Sequence, residues 1–433
     1  MVKETEMIKN VELSKSKSSE KVYFFDSLRV LAMLCIIIYH AVASYSTVVP
    51  FWGGPQDATD VSADIVRFIF DVFVIPTFFF IAGYFGLKSL QRHGSKKFLE
   101  SKFKRLMTYW IFIVLIILPF LYWQMNEYSV EFDSYWQYWV IYIFSIGIIT
   151  IGPQSASKVP GPAYAYHFWY ISLLFYFFVV FWLIYMVKEK NFKTSNNPGI
   201  SEQPSTKSIA KILLLFGIFS SIAYFIMLLI VADIYWVNIN HIAQFQPTDL
   251  VIYICYFGLG IYASSRNWFT NGEAPGRIEL WGSLCVVLSI AFLIVGEDIF
   301  TNPNSPELNP GILITFAFIR SFLCLSVVFL LLSITIKFLN KPNPIIKDFS
   351  RQSYHIYLIH MFVVVIFQMA LVNWSEGPVL VKILIVVISS LFISFLISKY
   401  VGEKFPKPIV IIMFVMFFIL PILAQFFPIL NEF

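Results

Sequence analysis

Charge is what this chain has little of. Asp, Glu, Lys and Arg make up 13% of its 433 residues, and 58% of the residues are hydrophobic. A soluble domain carries about a quarter charged residues, so much of this chain does not meet water. Cysteine is sparse as well. Cys35, Cys255, Cys285 and Cys324 each lie inside an apolar run, which excludes a framework of loop disulfides and predicts free, buried thiols. There is no C-x-x-C metal spacing, no Walker motif and no dinucleotide glycine motif, and nothing calls for a metal. Residues 1–22 are polar and lack the short apolar core and small-residue site of a cleaved signal. They read as a disordered cytoplasmic tail.

Long apolar runs are what the chain has instead. They fall at about 28–48, 64–87, 106–123, 138–152, 167–187, 210–232, 249–265, 279–296, 312–336, 353–373, 378–398 and 408–427. A helical span needs about 20 mostly apolar residues. The run 138–152 is short, holds Gly147 and Gly152, and is followed by Pro153, Pro160 and Pro162.

The placement of positive charge orders these runs. Lys88, Arg92, Lys96, Lys97, Lys102, Lys104 and Arg105 lie between the second and third runs. Lys188, Lys190, Lys193, Lys207 and Lys211 lie between the fifth and sixth. Lys and Arg accumulate in cytoplasmic loops, so both segments are inside. The run 138–152 then cannot cross, and is re-entrant or interfacial. The predicted architecture is an all-α polytopic membrane protein of about eleven transmembrane helices. Its N-terminus is cytoplasmic and its C-terminus external, in the plasma membrane. The outer loops hold one basic residue, Lys158, and are otherwise acidic. The formal charge of +5 therefore marks a membrane orientation, not a nucleic-acid partner. The polar linker 194–206 divides the first four spans from the rest, and Pro76 predicts a kink in the second span.

Ionisable groups inside a bilayer are functional suspects. Arg29 and His40 stand eleven residues apart on the first span. At 100° per residue they share one face, about 16 Å apart along the axis. Arg29 sits at the cytoplasmic boundary, where a guanidinium holds phosphate or another anion. His40 sits past the midplane, where a neutral imidazole serves as a base. Taken singly, each residue has an ordinary reading, Arg29 as interfacial anchor and His40 as a hydrogen-bonded core residue. Their common face favours function.

The string FFDSLRVLAMLCIIIYH resembles the opening of the family-3 membrane acyltransferases, with Arg, ten residues and His, and often Asp three before the Arg. Further pieces follow in family order. Phe79–Phe85 resembles the family's FF-x-SGF stretch, with Ala82 in place of Ser. The basic segment with Phe98 and Arg105 resembles RR-x-x-RL. His167-Phe168-Trp169-Tyr170 resembles H-x-W-F, and Ser353–His360 resembles SYGIYLLH. The resemblance runs from residue 24 to about 367. It implies a membrane acyltransferase domain over 23–400, with 401–433 as an additional C-terminal transmembrane helix.

The resemblance also implies an acyl group, acetyl or succinyl, passing from cytosolic acyl-CoA to a hydroxyl of a glycan or other acceptor at the outer face. The Asp26-x-x-Arg29 opening is similar to that of the branch that succinylates periplasmic glucans. Arg29 and His40 fill the catalytic positions, and Arg29, Asp26 and Arg105 the donor end. His40 either deprotonates the acceptor or is itself acylated.

Other groups carry two readings each. Arg320 lies about 12 Å into its span. It either neutralises a carboxylate-bearing acyl group or an oxyanion, or forms a structural ion pair. His360, about 13 Å above Arg351, reads as a substrate contact. His167 and Trp169 line an acceptor path or mark the membrane interface. Arg67 and Asp71 read as a structural ion pair, Lys382 as a residue snorkelling outward, and Tyr354 and Tyr357 as packing residues. The alternative function is a transporter or flippase for a lipid or glycan; a structural scaffold is a third. The topology has its own test. Reporter fusions after Lys193 and Lys347 report cytoplasm and fusions at Glu131 and Glu307 report the exterior. A cytoplasmic signal at Glu307 overturns the assignment.

Overall fold

The computed structural model describes residues 23–48, 58–119, 135–144, 149–153, 166–188, 206–239, 242–269, 272–301, 309–374 and 376–402. Its helices, in chain order, are α1 (Phe24–Ala43), α2 (Val61–His93), α3 (Ser95–Lys102), α4 (Thr108–Phe112), α5 (Tyr135–Phe144), α6 (Trp169–Val187), α7 (Thr206–Ile230), α8 (Pro247–Ser265), α9 (Ile278–Thr301), α10 (Pro310–Leu339), α11 (Pro344–Leu371) and α12 (Val379–Ile397). Among the described residues, nine helices are long and apolar enough to cross a membrane: α1, α2 and α6 to α12. They coincide with nine of the predicted spans. The predicted span 106–123 is helical where described, with π turns at Phe103–Met107 and Ile113–Ile117 on either side of α4. The predicted additional helix at 408–427 lies outside the described residues.

Two sequence expectations change. Of the segment 138–152, expected not to cross, residues 138–144 lie on α5, which at ten residues and about 15 Å by helical rise is indeed too short to cross; the change is that the segment is not helical throughout. It then enters a strand, β1 (Ile149–Pro153). This strand pairs antiparallel with β2 (Tyr235–Ile239), which pairs with β3 (Ala243–Phe245), in the order β1-β2-β3. The small sheet adds to the helical fold at one end of the bundle, hereafter the sheet end. The opposite end carries α3 and the α10–α11 connection and is the basic end. Lys382 does not reach outward: its side chain is fully buried at the start of α12. The helix α2 continues through Pro76.

The element ends follow local chemistry. Asp60 caps α2 by accepting from the Ser62 amide at 2.7 Å, and α2 stops at Gly94, whose φ of 76° suits a residue without a Cβ. Asn309 and Asn343 cap α10 and α11, each followed by proline at the first helical position. The start of α1 has no side-chain cap of its own. Asn340, just past α10, instead accepts from the Phe24 amide at 3.2 Å. Ser27 returns a hydrogen bond to the orphan carbonyl of Leu339 at 3.1 Å. The two helix ends satisfy one another.

The helix α1 is the centre of the bundle, packed by α2, α10, α11 and α12. Apolar side chains also cover the outside. Val286, Val287, Ile290 and Ile294 on α9, and Leu384, Ile388 and Phe392 on α12, are exposed, as a lipid-facing surface requires. The helices α2 and α8 approach each other closely. A Cβ at Gly83 would meet the Phe257 carbonyl, and a Cβ at Gly260 would meet the Phe80 carbonyl. Small residues of this kind let two backbones touch. Gly260→Ala therefore costs about 1–3 kcal/mol by overpacking, read as a lowered unfolding midpoint in detergent. Gly258→Ala on the same helix, where nothing lies within 4 Å, leaves the midpoint unchanged or raises it.

Candidate active site

The basic end of α1 carries Arg29. Its Nη1 donates to Asp26 Oδ1 at 3.3 Å and to Ser350 Oγ at 2.9 Å, while Ser350 Oγ donates to Asp26 Oδ1 at 2.8 Å. The three groups form a closed ring between α1 and α11. The guanidinium lies 5.6 Å from the Phe85 ring centroid. It retains 29% of its side-chain surface, enough to contact an incoming anion. Asp26 thus orients Arg29. Arg105 is exposed, 5.8 Å over the Tyr354 ring, and its charge acts on both Arg29 and Lys102. Burial, then the neighbouring Arg105 and Arg29 charges, bring the Lys102 ammonium down to about 8. A third cation so crowded favours a bound anion. Lys102 carries no separate signal in the sequence, because it lies within a run of basic residues.

The other end of α1 carries His40, which meets two further histidines. Ring centroids are 5.3 Å apart for His40 and His360, 5.4 Å for His167 and His360, and 6.1 Å for His40 and His167. All three side chains are buried. Three remote parts of the chain supply them: the end of α1, the 3-10 turn Tyr166–Phe168 before α6, and the middle of α11.

Each member is fixed by its backbone. Carbonyls in the last turn of α1 have no helical partner, and Gln368 of α11 donates to those of Ala41 at 3.1 Å and His40 at 3.4 Å. The Tyr357 hydroxyl donates to the His167 carbonyl. His360 Nδ1 lies 2.8 Å from the Tyr357 carbonyl and 3.2 Å from that of Ile356. Both are acceptors only, so Nδ1 carries the proton and Nε2 keeps its lone pair.

A cavity opens over this cluster. His40, Tyr39 and Ile36 come from α1, and Phe70, Asp71 and Val74 from α2. His167, Trp169 and Tyr170 form another side, and Trp236, Gln246 and Tyr253 close the sheet end. Tyr170 packs edge to face on Phe79 and Tyr357 within this lining. Of the site residues singled out in the sequence, His40, His167 and Trp169 line the cavity. His360 stands behind the two other imidazoles. Asp71, read from sequence as half of a structural pair, faces the cavity and is exposed there, accepting from the Tyr39 hydroxyl at 3.2 Å. Trp236 and Gln246 had no recognisable signal, because Trp236 enters on β2 and Gln246 directly follows β3.

Arg320 lies outside the cavity lining. It is 3% exposed and ion-paired with Asp249 of α8. It lies 4.5 Å from the Tyr224 ring centroid. Asp249 accepts a second hydrogen bond, from Tyr253, at 3.2 Å. Of its two sequence readings, the geometry is that of the ion pair. Asp249, an acid at the very start of an apolar run, was the available signal for the partner.

These features define a multi-pass helical membrane protein with a cationic cluster at one end of a central helix and a histidine-lined chamber at the other. The chain matches the acyltransferase domain of family 3 over residues 22–399. It belongs to the family-3 acyltransferases and is an enzyme that transfers acyl groups. No curated protein and no solved structure matches it.

The Arg320 pair has a direct test. Removing one partner of a buried ion pair costs about 3–5 kcal/mol, whereas apolar replacement of both is often tolerated. Arg320→Met and Asp249→Leu should each lower the unfolding midpoint in detergent strongly, and the double variant should recover most of the loss. An additive double variant removes the pair from the account.

Proposed function

We propose that this acyltransferase moves an acyl group, acetyl or succinyl, from cytosolic acyl-CoA to a hydroxyl of a glycan or other acceptor at the outer face of the plasma membrane. The observation that carries this reading is that Arg29 and His40, one from the cationic cluster and one from the histidine cluster, stand at opposite ends of one helix. They are separated by about 16 Å of helical rise. The excess of Lys and Arg at the Arg29 end supports a cytoplasmic position for that end.

In this reading Arg29, oriented by Asp26 and Ser350, holds a phosphate of the donor with Lys102 and Arg105. The pantetheine arm extends toward the chamber and presents its thioester near His40. His40 takes the proton from the acceptor hydroxyl as its oxygen bonds to the acyl carbon. The C–S bond then breaks, and the proton passes to the departing thiolate. An ester and free CoA result. The alternative route, in which the imidazole is acylated first, uses the same atoms in two steps. His360, with its lone pair at Nε2, faces the other two imidazoles and would take up a proton passed on from one of them. A transporter would need no thioester, so CoA release from acyl-CoA by the purified protein separates the two functions.

The two ends of α1 should fail differently. His40→Ala should lower turnover about 10²–10⁴-fold while donor affinity stays near wild type, and His40→Gln should not restore it. Arg29→Ala should weaken donor binding about 10- to 100-fold, the scale of a charged hydrogen bond. Arg29→Lys should restore only part, because the forked contact is lost. Binding of acyl-CoA, followed by calorimetry beside CoA release, reads both. Near wild-type transfer by His40→Ala would remove it from the chemistry. Donor affinity should also fall as pH rises through about 8, where Lys102 loses its proton, and Lys102→Met should flatten that dependence.

A further inference from the structure

The basic end has a second cationic face, turned away from the Arg29 cluster. The helix α3 is anchored by Phe98, which is fully buried. Its ring packs edge to face on two rings of α6, Phe178 at 5.8 Å and Phe181 at 6.4 Å. Lys102, one turn further on, lies over the Phe98 and Phe178 rings at 5.4 and 4.4 Å and so shares the inner face. Lys96 and Lys97 stand six and five residues earlier. At 100° per residue they point about 120–140° away from Lys102, and both are exposed. The one acid of residues 88–105 is Glu100, and it pairs with Lys104 at 2.6 Å. The outer face of α3 therefore keeps a net positive charge.

An apolar stripe ends beside these lysines. Ser95 Oγ meets Met186 Sδ at 3.0 Å, and the Trp182 indole N–H donates to Ser95. The start of α3 thus sits on the last turns of α6. On that helix Val180, Leu183, Ile184 and Val187 recur at helical spacing and are between 46% and 84% exposed. They run about 10 Å along the axis and face acyl chains in a bilayer. Val187 is the last of them before Lys188, so the lysines of α3 stand where the apolar layer gives way to headgroups.

We propose that Lys96, Lys97 and the exposed stripe at the end of α6 bind one anionic phospholipid of the leaflet at the basic end. The two ammonium groups hold the headgroup phosphate, and an acyl chain lies along Val187, Ile184, Leu183 and Val180. A choline headgroup carries its own cation beside the phosphate and gains less from the lysines. A lipid seated there braces α3 from outside, on the helix whose inner face carries Lys102.

The site does not depend on acyl transfer, and its test uses no turnover. Purified full-length protein is equilibrated in detergent micelles doped with equal amounts of dioleoylphosphatidylglycerol and dioleoylphosphatidylcholine, and the retained lipid is counted by native mass spectrometry. The wild type should retain the glycerol lipid about tenfold or more over the choline lipid. Lys96→Gln together with Lys97→Gln should bring the two lipids to within about threefold. Lys341→Gln together with Lys347→Gln removes the same charge from exposed positions at the same end and should leave the preference unchanged. Glycerol phosphate, a headgroup without chains, should not displace the lipid even in large excess. Equal retention of both lipids by the wild type, an equal loss in the two double variants, or displacement by glycerol phosphate overturns the site.

Discussion

Lipid offers no hydrogen bonds, and that constraint shapes the centre of this protein. Polar groups on α1 have to find their partners within the protein. Arg29 is answered by Asp26 and Ser350, and the first backbone amide of the helix by Asn340. The carbonyls at its far end are answered by Gln368. The partners come from α1 itself, the α10–α11 connection and α11. Those contacts fix the rotation and depth of α1, and with them the line from guanidinium to imidazole.

Apolar packing then sets how tightly the frame holds. The α2–α8 approach at Gly83 and Gly260 brings Phe79 onto Tyr253, with centroids 4.9 Å apart and planes 16° apart. Tyr253 is at once part of this packed seam, a ligand of Asp249 and a wall of the chamber. The Arg320–Asp249 pair therefore acts on the chamber through the placement of that wall.

Much of the helical frame was legible from the chain alone. Nine spans follow from runs of apolar residues, because a bilayer imposes a length and a composition that few other environments do. The shared face of Arg29 and His40 follows from helical geometry within one element. The convergence of His40, His167 and His360 is different. The residues are separated by more than a hundred positions, and periodicity within an element says nothing about which elements become neighbours. The family resemblance placed each of them in a motif, but not against one another. The sheet was missed because strands of three and five residues hold too few alternations to show a period. Asp71 was read as a partner of Arg67, whose charge does act on it, but its place in the cavity lining depends on how α1 and α2 pack. Lys382 was assigned to the surface on side-chain length alone, which carries no information about the packing of α12.

The clasp between the ends of α1 and α10 bears on how the protein is made. Phe24 and Asn340 are 316 positions apart, Arg29 and Ser350 are 321 apart, and the Gln368 contact to His40 spans 328. A helix that enters the bilayer at the beginning of synthesis therefore acquires its polar partners only when α10 and α11 emerge. Until then Arg29 and the open end carbonyls need other company, either water at the interface or the insertion machinery. The active site is thus closed by the last third of the chain, and biogenesis, more than local helix strength, sets when α1 reaches its final place.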